Sequence, residues 1–215
     1  MPCTGRYAEA IDYAVTLDCT GVYAGLDNSG GAANAFLTNT LVNFVDLGVT
    51  VGNPTHNTTT GTYGTITGVT ATVLQTTNTW SNGDAYIIAL MSASEVATIN
   101  LALDMTAALI FPALAAQGAC DCTFASWANL YLAQLNALAA AAYRNCPCGG
   151  NTLNEDARTR YLLYVQQELG LIRTGQYEFC AGYTGSDFPA IATVEQSWTN
   201  WRAAEIIIDA ARRKP

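Results

Sequence analysis

The residues of this chain most able to do chemistry are its seven cysteines: Cys3, Cys19, Cys120, Cys122, Cys146, Cys148 and Cys180. Four of them form two Cys-x-Cys pairs, 120/122 and 146/148. Thiolates bind zinc, but each must lie within ~2.3 Å of the ion. If 123–145 is one continuous helix, it separates the two pairs by roughly 30 Å. We therefore expect no four-cysteine metal site within one chain, and we predict no metal and no cofactor.

Disulfide bonds are the interpretation of the cysteines that we favour. Such bonds persist in secreted proteins and on virion surfaces. Seven is an odd number, so at least one thiol is free or pairs with another chain. The members of a Cys-x-Cys pair would be strained if bonded to each other, so each should pair with another segment or subunit. Reduced thiols are the first alternative, and a metal site is the weaker one.

No other set of residues indicates catalysis. The single histidine, His56, stands in a run of Thr and Asn, and nothing in the sequence arranges an acid and a nucleophile around it. We predict it to be a solvent-exposed loop residue. The glycine-rich stretches lack the Lys-Ser/Thr of a phosphate-binding loop. Glu155 and Asp156 are expected to compensate a helix dipole rather than to form a catalytic pair. We predict that the protein is not an enzyme and has no catalytic residues.

The charge of the chain is low and unevenly distributed. Only 12% of its residues are charged, about half the usual ~25%. No Lys or Arg occurs between Tyr7 and Tyr143, a stretch with nine acidic residues. This distribution excludes a basic stripe for nucleic-acid binding. It fits a surface covered by other subunits, or a passage through which DNA moves without binding; a small polar surface kept soluble by acidic residues is the alternative.

The sequence predicts that strands and helices occupy separate parts of the chain. We predict a short helix at 6–17 and a loop or extended arm at 18–40, which together form an N-terminal region, 1–40. Residues 41–90 are rich in Val, Ile, Thr and Tyr, with Gly and Asn at short intervals, and predict four or five short strands closed into a small β-barrel. A bulge or a tight turn is expected at Gly68–Val69, and a turn at 81–84.

The remaining residues, 91–215, predict a helical bundle. A capping box at Ser92–Glu95 opens a helix to about Gln117, whose apolar part, 99–119, we interpret as buried rather than as crossing a membrane. Thr123 is predicted to cap a second helix ending near Asn145, and a box at 152–155 opens a third, ending near Arg173. A last helix is predicted from Pro189 to Arg213. The predicted fold class is thus α+β: an antiparallel bundle of about four helices with a small β-barrel module.

The predicted last helix has an apolar seam. It consists of Ile191, Val194, Trp198, Trp201 and Ile208, which follow 3,4 spacing. Trp198 and Trp201 either pack in the core or dock a partner protein, because aromatic side chains anchor interfaces. Arg212 and Arg213 complement the dipole at the end of the helix and are grouped with the two tryptophans as candidate docking residues.

Two parts of the chain resemble proteins of tailed bacteriophages. The similarity to a small β-domain of phage structural proteins lies in residues 44–52, 57–61, 64–74 and 80–86. The helical region from Ser92 to Pro215 looks like the core of head-to-tail connector (adaptor, neck) proteins, by its pattern and length. The resemblance implies a homo-oligomeric ring, typically a dodecamer, that contacts the portal protein and tail or neck proteins. It implies no catalytic residues.

We therefore expect a structural virion protein located in the neck, between capsid and tail, that lines a DNA channel without specific DNA binding and without contact to a membrane. Disulfides between subunits would strengthen such a ring. A collar, decoration or fibre-attachment protein is the alternative, in which the β-module would bind a ligand or another virion protein. A thiol or metal enzyme is the third possibility.

Overall fold

The structure, a computed structural model, describes residues 5–19, 21–29, 33–119, 123–144, 153–177 and 179–180. In these ranges the chain has an α+β fold, as predicted, with four helices and six strands. The helices are α1 (Ala10–Thr16), α2 (Ala93–Ala116), α3 (Ser126–Arg144) and α4 (Glu155–Arg173). The strands are β1 (Val22–Leu26), β2 (Asn34–Thr38), β3 (Pro54–Asn57), β4 (Thr62–Val69), β5 (Val73–Trp80) and β6 (Ala85–Ala89).

The six strands form one antiparallel sheet in the order β1-β6-β3-β4-β5-β2. The sheet curls into a half-barrel but remains open, so the predicted closed barrel is wrong. Among the described residues, the edge strands β1 and β2 are joined by two hydrogen bonds just after β1: the Asn28 N–H donates to the Thr38 carbonyl (2.8 Å), and the Asp27 carboxylate accepts from the Thr38 N–H (2.7 Å). Two five-residue strands held at one end do not complete a closed hydrogen-bond ladder.

Both edge strands come from the 18–40 segment that was predicted as a loop or extended arm. Val22–Leu26 pairs with β6, and Asn34–Thr38 pairs with β5. The segment has a weak local strand signal because Gly, Asn and Ser interrupt it. Pairing with already formed neighbouring strands supplies the missing stabilisation, and the sheet therefore begins before residue 41.

Local signals inside the sheet are confirmed. The register shifts between Ile66 and Gly68, where β4 faces β5, as the slip in apolar phase indicated. The 81–84 turn is closed by the Asp84 N–H, which donates to the Ser81 carbonyl (2.9 Å). Gly83 has a φ of +90°, which only glycine adopts readily.

The concave side of the sheet combines an apolar core with a row of buried polar groups. The fully buried Trp80 and Ile66 belong to this core, and the Trp80 indole N–H donates to Thr76 Oγ1 (2.7 Å). Asn57 donates to the buried Asp84 carboxylate (2.8 Å). Because each of these polar groups has a partner, they specify the strand register rather than destabilise the core.

The helix starts were predicted from capping residues, and two of them need a correction. Ser92 caps α2 in the predicted box with Glu95. For α4 the cap is Asn154, whose side chain accepts from the Ala157 N–H (2.7 Å), and not the Thr152 of the predicted box. Helix α3 begins at Ser126, three residues after the predicted cap, Thr123.

Three longer helices pack on each other beneath the sheet. One core joins α1, α2 and α3, and a second joins α2, α3, α4 and Phe179. The predicted fourth long helix, 189–213, lies outside the described residues, so the predicted four-helix bundle is not confirmed. Helix α2 is the one helix of the described residues that is long and apolar enough to cross a membrane, but only by length and composition.

Candidate functional site

A group of three titratable side chains lies where α1 meets the sheet. It consists of Asp12 on α1, His56 on β3 and Tyr63 on β4. The Tyr63 hydroxyl donates to Asp12 Oδ1 (3.1 Å), and His56 Nδ1 lies 3.9 Å from the same oxygen. The rings of His56 and Tyr63 are stacked, with centroids 4.1 Å apart.

Local structure explains how these three residues meet. Asp12 occupies the third position of α1, where it also accepts from the Glu9 N–H (2.8 Å) in a capping box. His56 and Tyr63 are cross-strand partners in the β3–β4 ladder, a position in which side chains on one face touch. The sheet therefore holds the two rings together, and the cap holds the carboxylate against them.

Burial dominates the protonation behaviour of the group. It raises the pKa of Asp12, an effect that hydrogen bonds from Glu9 and Tyr63 and the charge of His56 reduce. Burial also lowers the pKa of His56, an effect that the Asp12 charge reduces. The pKa of Tyr63 is raised, first by burial and then by Asp12. A neutral imidazole is therefore favoured near neutral pH.

The prediction for His56 is wrong in its structural part. The residue lies in a strand rather than a loop, and its side chain is 16% exposed. The neighbours of His56 could not be identified from the sequence. Asp12 is 44 positions away, and Tyr63 lies opposite His56 only because β3 pairs with β4. The group resembles a general acid–base pair, but its hydrogen bond is internal, from Tyr63 to Asp12. We interpret it as a polar contact that fastens α1 to the sheet.

The cysteines were the first predicted site, and only Cys19 and Cys180 lie within the described residues. Cys19 is 9% exposed, and Cys180 forms an isolated bridge with Phe124. Neither is a free thiol. The pairing of the cysteines stays a prediction, because Cys3, Cys120, Cys122, Cys146 and Cys148 lie outside the described residues. Within the described ranges no group of three or more His, Cys, Asp or Glu side chains is placed to hold a metal ion.

The predicted docking residues, Trp198, Trp201, Arg212 and Arg213, lie outside the described residues. The described surface nevertheless has exposed apolar side chains, which are available for contacts with other proteins. Fourteen large hydrophobic side chains are exposed there. Six lie in the sheet half: Leu26, Phe36, Leu41, Val45, Val51 and Tyr63. Three lie along α2, namely Leu101, Met105 and Leu109.

A cavity of about 450 Å³ opens at the carboxyl end of α2. Its lining includes Gln117, Arg173, Tyr177 and Cys180. Gln117 Nε2 donates to the Ile172 carbonyl, which joins the end of α2 to the end of α4.

A buried carboxylate next to this region was not recognised from the sequence. Glu168 on α4 is 2% exposed and accepts from the hydroxyls of Tyr131 and Tyr177, each at 2.6 Å. Both tyrosine pKa values are raised, primarily by burial and further by the carboxylate. The signal available in the sequence was the apolar neighbourhood of Glu168 in Leu-Gly-Leu-Ile, but nothing identified its partners.

No protein-family model, curated protein or solved structure matches the chain. The function is therefore argued from this chain alone.

Proposed function

We propose that this protein is a non-enzymatic structural protein of a tailed-phage virion, which forms a ring in the neck between portal and tail and lines the DNA channel. The observation that carries the proposal is the exposure of fourteen large hydrophobic side chains on a chain of which only 12% is charged. A surface of that kind is typical of a protein whose faces are covered by partners.

The sheet edges support assembly. Among the described residues β1 pairs only with β6, and β2 pairs only with β5, so each leaves one edge open. Exposed edges are usually protected by Lys, Pro or a covering segment. Neither β1 (Val-Tyr-Ala-Gly-Leu) nor β2 (Asn-Ala-Phe-Leu-Thr) contains a charge or a proline. Strands of this kind pair readily with a neighbouring subunit.

The acidic character of residues 7–143 supports the channel. With nine acidic residues and no basic one in that stretch, the region cannot neutralise phosphates, so DNA would pass it without being held. Trp198, Trp201, Arg212 and Arg213 are proposed to contact the portal or a neighbouring ring.

Native mass spectrometry of the purified protein, with and without reductant, tests the proposal. A closed ring of about twelve copies is expected for heterologous, closing interfaces, and dissociation by reductant would assign cysteines to subunit contacts. Because a ring can also form only on its portal, the same measurement is made after mixing with portal protein. A monomer in both conditions would contradict the neck assignment and favour a collar, decoration or fibre-attachment role.

A further inference from the structure

Helix α2 is apolar on two sides. One side is buried and packs into the two helical cores through residues such as Leu103 and Ile110. The other side is exposed, and its largest side chains are Leu101, Met105 and Leu109, which are 60%, 45% and 54% exposed. A helix that is apolar all round is normally covered all round. The exposed side of α2 is therefore a surface on which another helix can pack.

The exposed side of α2 follows the repeat of a coiled coil. Exposed, uncharged residues succeed each other at alternating spacings of three and four: Thr98, Leu101, Met105, Ala108, Pro112 and Ala115. Spacings that alternate in this way keep a line of side chains facing a second helix. At ~1.5 Å per residue the line is about 26 Å long. We call these six residues the α2 row.

The α2 row is complementary to a second copy of itself that runs antiparallel. In the register that places Met105 opposite Ala108 of the second copy, Leu101 comes opposite Pro112 of the second copy. Each layer of the contact then combines a larger with a smaller side chain, which is how facing positions fill a helix interface. A parallel pairing would instead place Met105 on Met105 and Ala108 on Ala108, so that crowded and empty layers would alternate.

The charges beside the α2 row do not oppose this pairing. Asp104 is the one charged side chain among the exposed residues between Ala97 and Ala116, and its carboxylate accepts a hydrogen bond from Arg6 (3.3 Å). Two copies therefore bring together ion pairs rather than free carboxylates. The exposed side also lacks the uncompensated charge that would select a strongly basic or acidic partner protein.

The area of the exposed side suits a dimer of moderate affinity. Two α2 rows, widened by Leu109 beside each of them, bury roughly 1,000 Å² in total, which is near the lower limit for a specific protein interface. An interface of that size corresponds to a Kd of roughly 1–100 µM.

We propose that two copies of the chain pair through the exposed sides of α2, which lie antiparallel about a two-fold axis close to Met105 and Ala108. The contact is isologous, so each α2 row covers the other and a third copy cannot be added through it. The inference concerns the purified chain and does not rest on the proposed neck function.

Sedimentation velocity of the full chain, across about a hundredfold range of protein concentration around the expected Kd, tests the pairing. We expect a reversible equilibrium between monomer and dimer. A non-reducing denaturing gel of the same samples identifies any covalent dimer, which is then left out of the equilibrium.

A charge in the α2 row should break the dimer. We expect Leu101→Glu to weaken dimerisation at least about tenfold, because pairing would bury the new carboxylate among apolar side chains. Leu163→Glu is the matched control, since Leu163 on α4 is also 60% exposed and lies outside the α2 row. It should leave the Kd unchanged within about twofold. Far-UV circular dichroism checks that each variant is folded.

An exchange of Met105 and Ala108 tests the register. Ala108→Met alone puts two methionines into one layer and should weaken dimerisation about tenfold. The double variant Met105→Ala/Ala108→Met restores one large and one small side chain in each central layer. It should return the Kd to within about threefold of that of the unaltered chain.

Three results would overturn the inference. A chain that stays monomeric over the whole concentration range would assign the exposed side of α2 to another part of the chain or to a different protein. A dimer that Leu101→Glu leaves unchanged would place the contact elsewhere, such as at the edges of the sheet. A double variant that dimerises no better than Ala108→Met would exclude the antiparallel register.

Discussion

The hydroxyl of Tyr131 on α3 lies 2.6 Å from Glu168 Oε2 on α4, and both side chains are buried. Tyr177, after α4, donates to the same oxygen at 2.6 Å. The Glu168 carboxylate thus joins α3, α4 and the segment that follows α4. In the described ranges no basic side chain lies at hydrogen-bond distance from it. Because a buried carboxylate is costly unless hydrogen-bonded, the two tyrosines are required for its presence there.

Replacing Glu168 should destabilise the helical half strongly. We expect Glu168→Ala to lower the free energy of unfolding by about 3 kcal/mol, because it leaves a cavity and two buried hydroxyls without an acceptor. Glu168→Gln keeps an oxygen acceptor and should cost about 1 kcal/mol. Urea unfolding measures both. Glu155→Gln on the same helix, with its side chain 80% exposed, is the control and should change stability by less than about 0.5 kcal/mol. Equal effects at the two positions would contradict the role of the network.

Two glycines offer a test of the sheet. A Cβ at Gly64 would collide with the side chain of the buried Asn78, whose amide donates to the Thr62 carbonyl (2.8 Å). We expect Gly64→Ala to lower the free energy of unfolding by about 2–3 kcal/mol. At Gly170 in α4 a Cβ meets nothing within 4 Å, so Gly170→Ala should stabilise by up to about 1 kcal/mol. Thermal unfolding compares the two variants. An increase in unfolding temperature for Gly64→Ala as well as for Gly170→Ala would show that the space at Gly64 is not limiting.

The stability of the α1–sheet contact should depend on pH through His56. Burial lowers its pKa below the usual 6.5, so the unfolded chain binds more protons than the folded one as the pH falls through 6.5. The free energy of unfolding contributed by His56 is therefore present above that pH and is lost below it. Asp12 has the opposite effect on stability at acid pH, because its pKa is raised from 3.8 in the folded protein. Its contribution to the free energy of unfolding is present at low pH and is lost as the pH rises through the folded pKa.

Urea unfolding of the unaltered protein and of His56→Gln at about pH 5 and about pH 7.5 isolates the imidazole. We expect the protein with histidine to lose more stability between the higher and the lower pH than the variant does. Parallel pH dependence in the two proteins would show that His56 keeps the same pKa in both states. Tyr63→Phe serves as the companion variant, since it removes the hydroxyl but keeps the stacked ring.

The open edge of β2 provides a test of assembly. Phe36 is 45% exposed on this strand, and a lysine there would place a charge on an edge strand that contains neither a charged residue nor a proline. We expect Phe36→Lys to shift the oligomer distribution towards smaller species in native mass spectrometry without lowering the unfolding temperature of the subunit. Val15→Lys, at a residue of α1 with the same exposed fraction, 45%, is the control. An unchanged oligomer in Phe36→Lys would exclude the β2 edge as a subunit contact.

Much of the local structure could be predicted because the determinants lie within a few residues of each other. The box of Ser92 and Glu95 starts α2, the 81–84 turn closes on itself, and the β4 bulge follows from a slip in apolar phase. These features depend on backbone geometry and on side chains three or four positions apart, so the sequence by itself determined them. The same holds for the α+β class, which follows from the change of apolar period near residue 91.

The tertiary structure alone decided the contacts between distant segments. Val22–Leu26 and Asn34–Thr38 become strands because β6 and β5 offer unpaired edges, not because of their own propensity. His56 was predicted in a loop but lies in a strand, because β3 pairs with β4 and places His56 opposite Tyr63. The packing of α1 on the sheet then brings Asp12 next to it. Glu168 is buried because two tyrosines from other segments meet it. The physical reason is common to all three cases: strand pairing and burial are energies of neighbours in space, and a linear sequence does not state which residues those neighbours are.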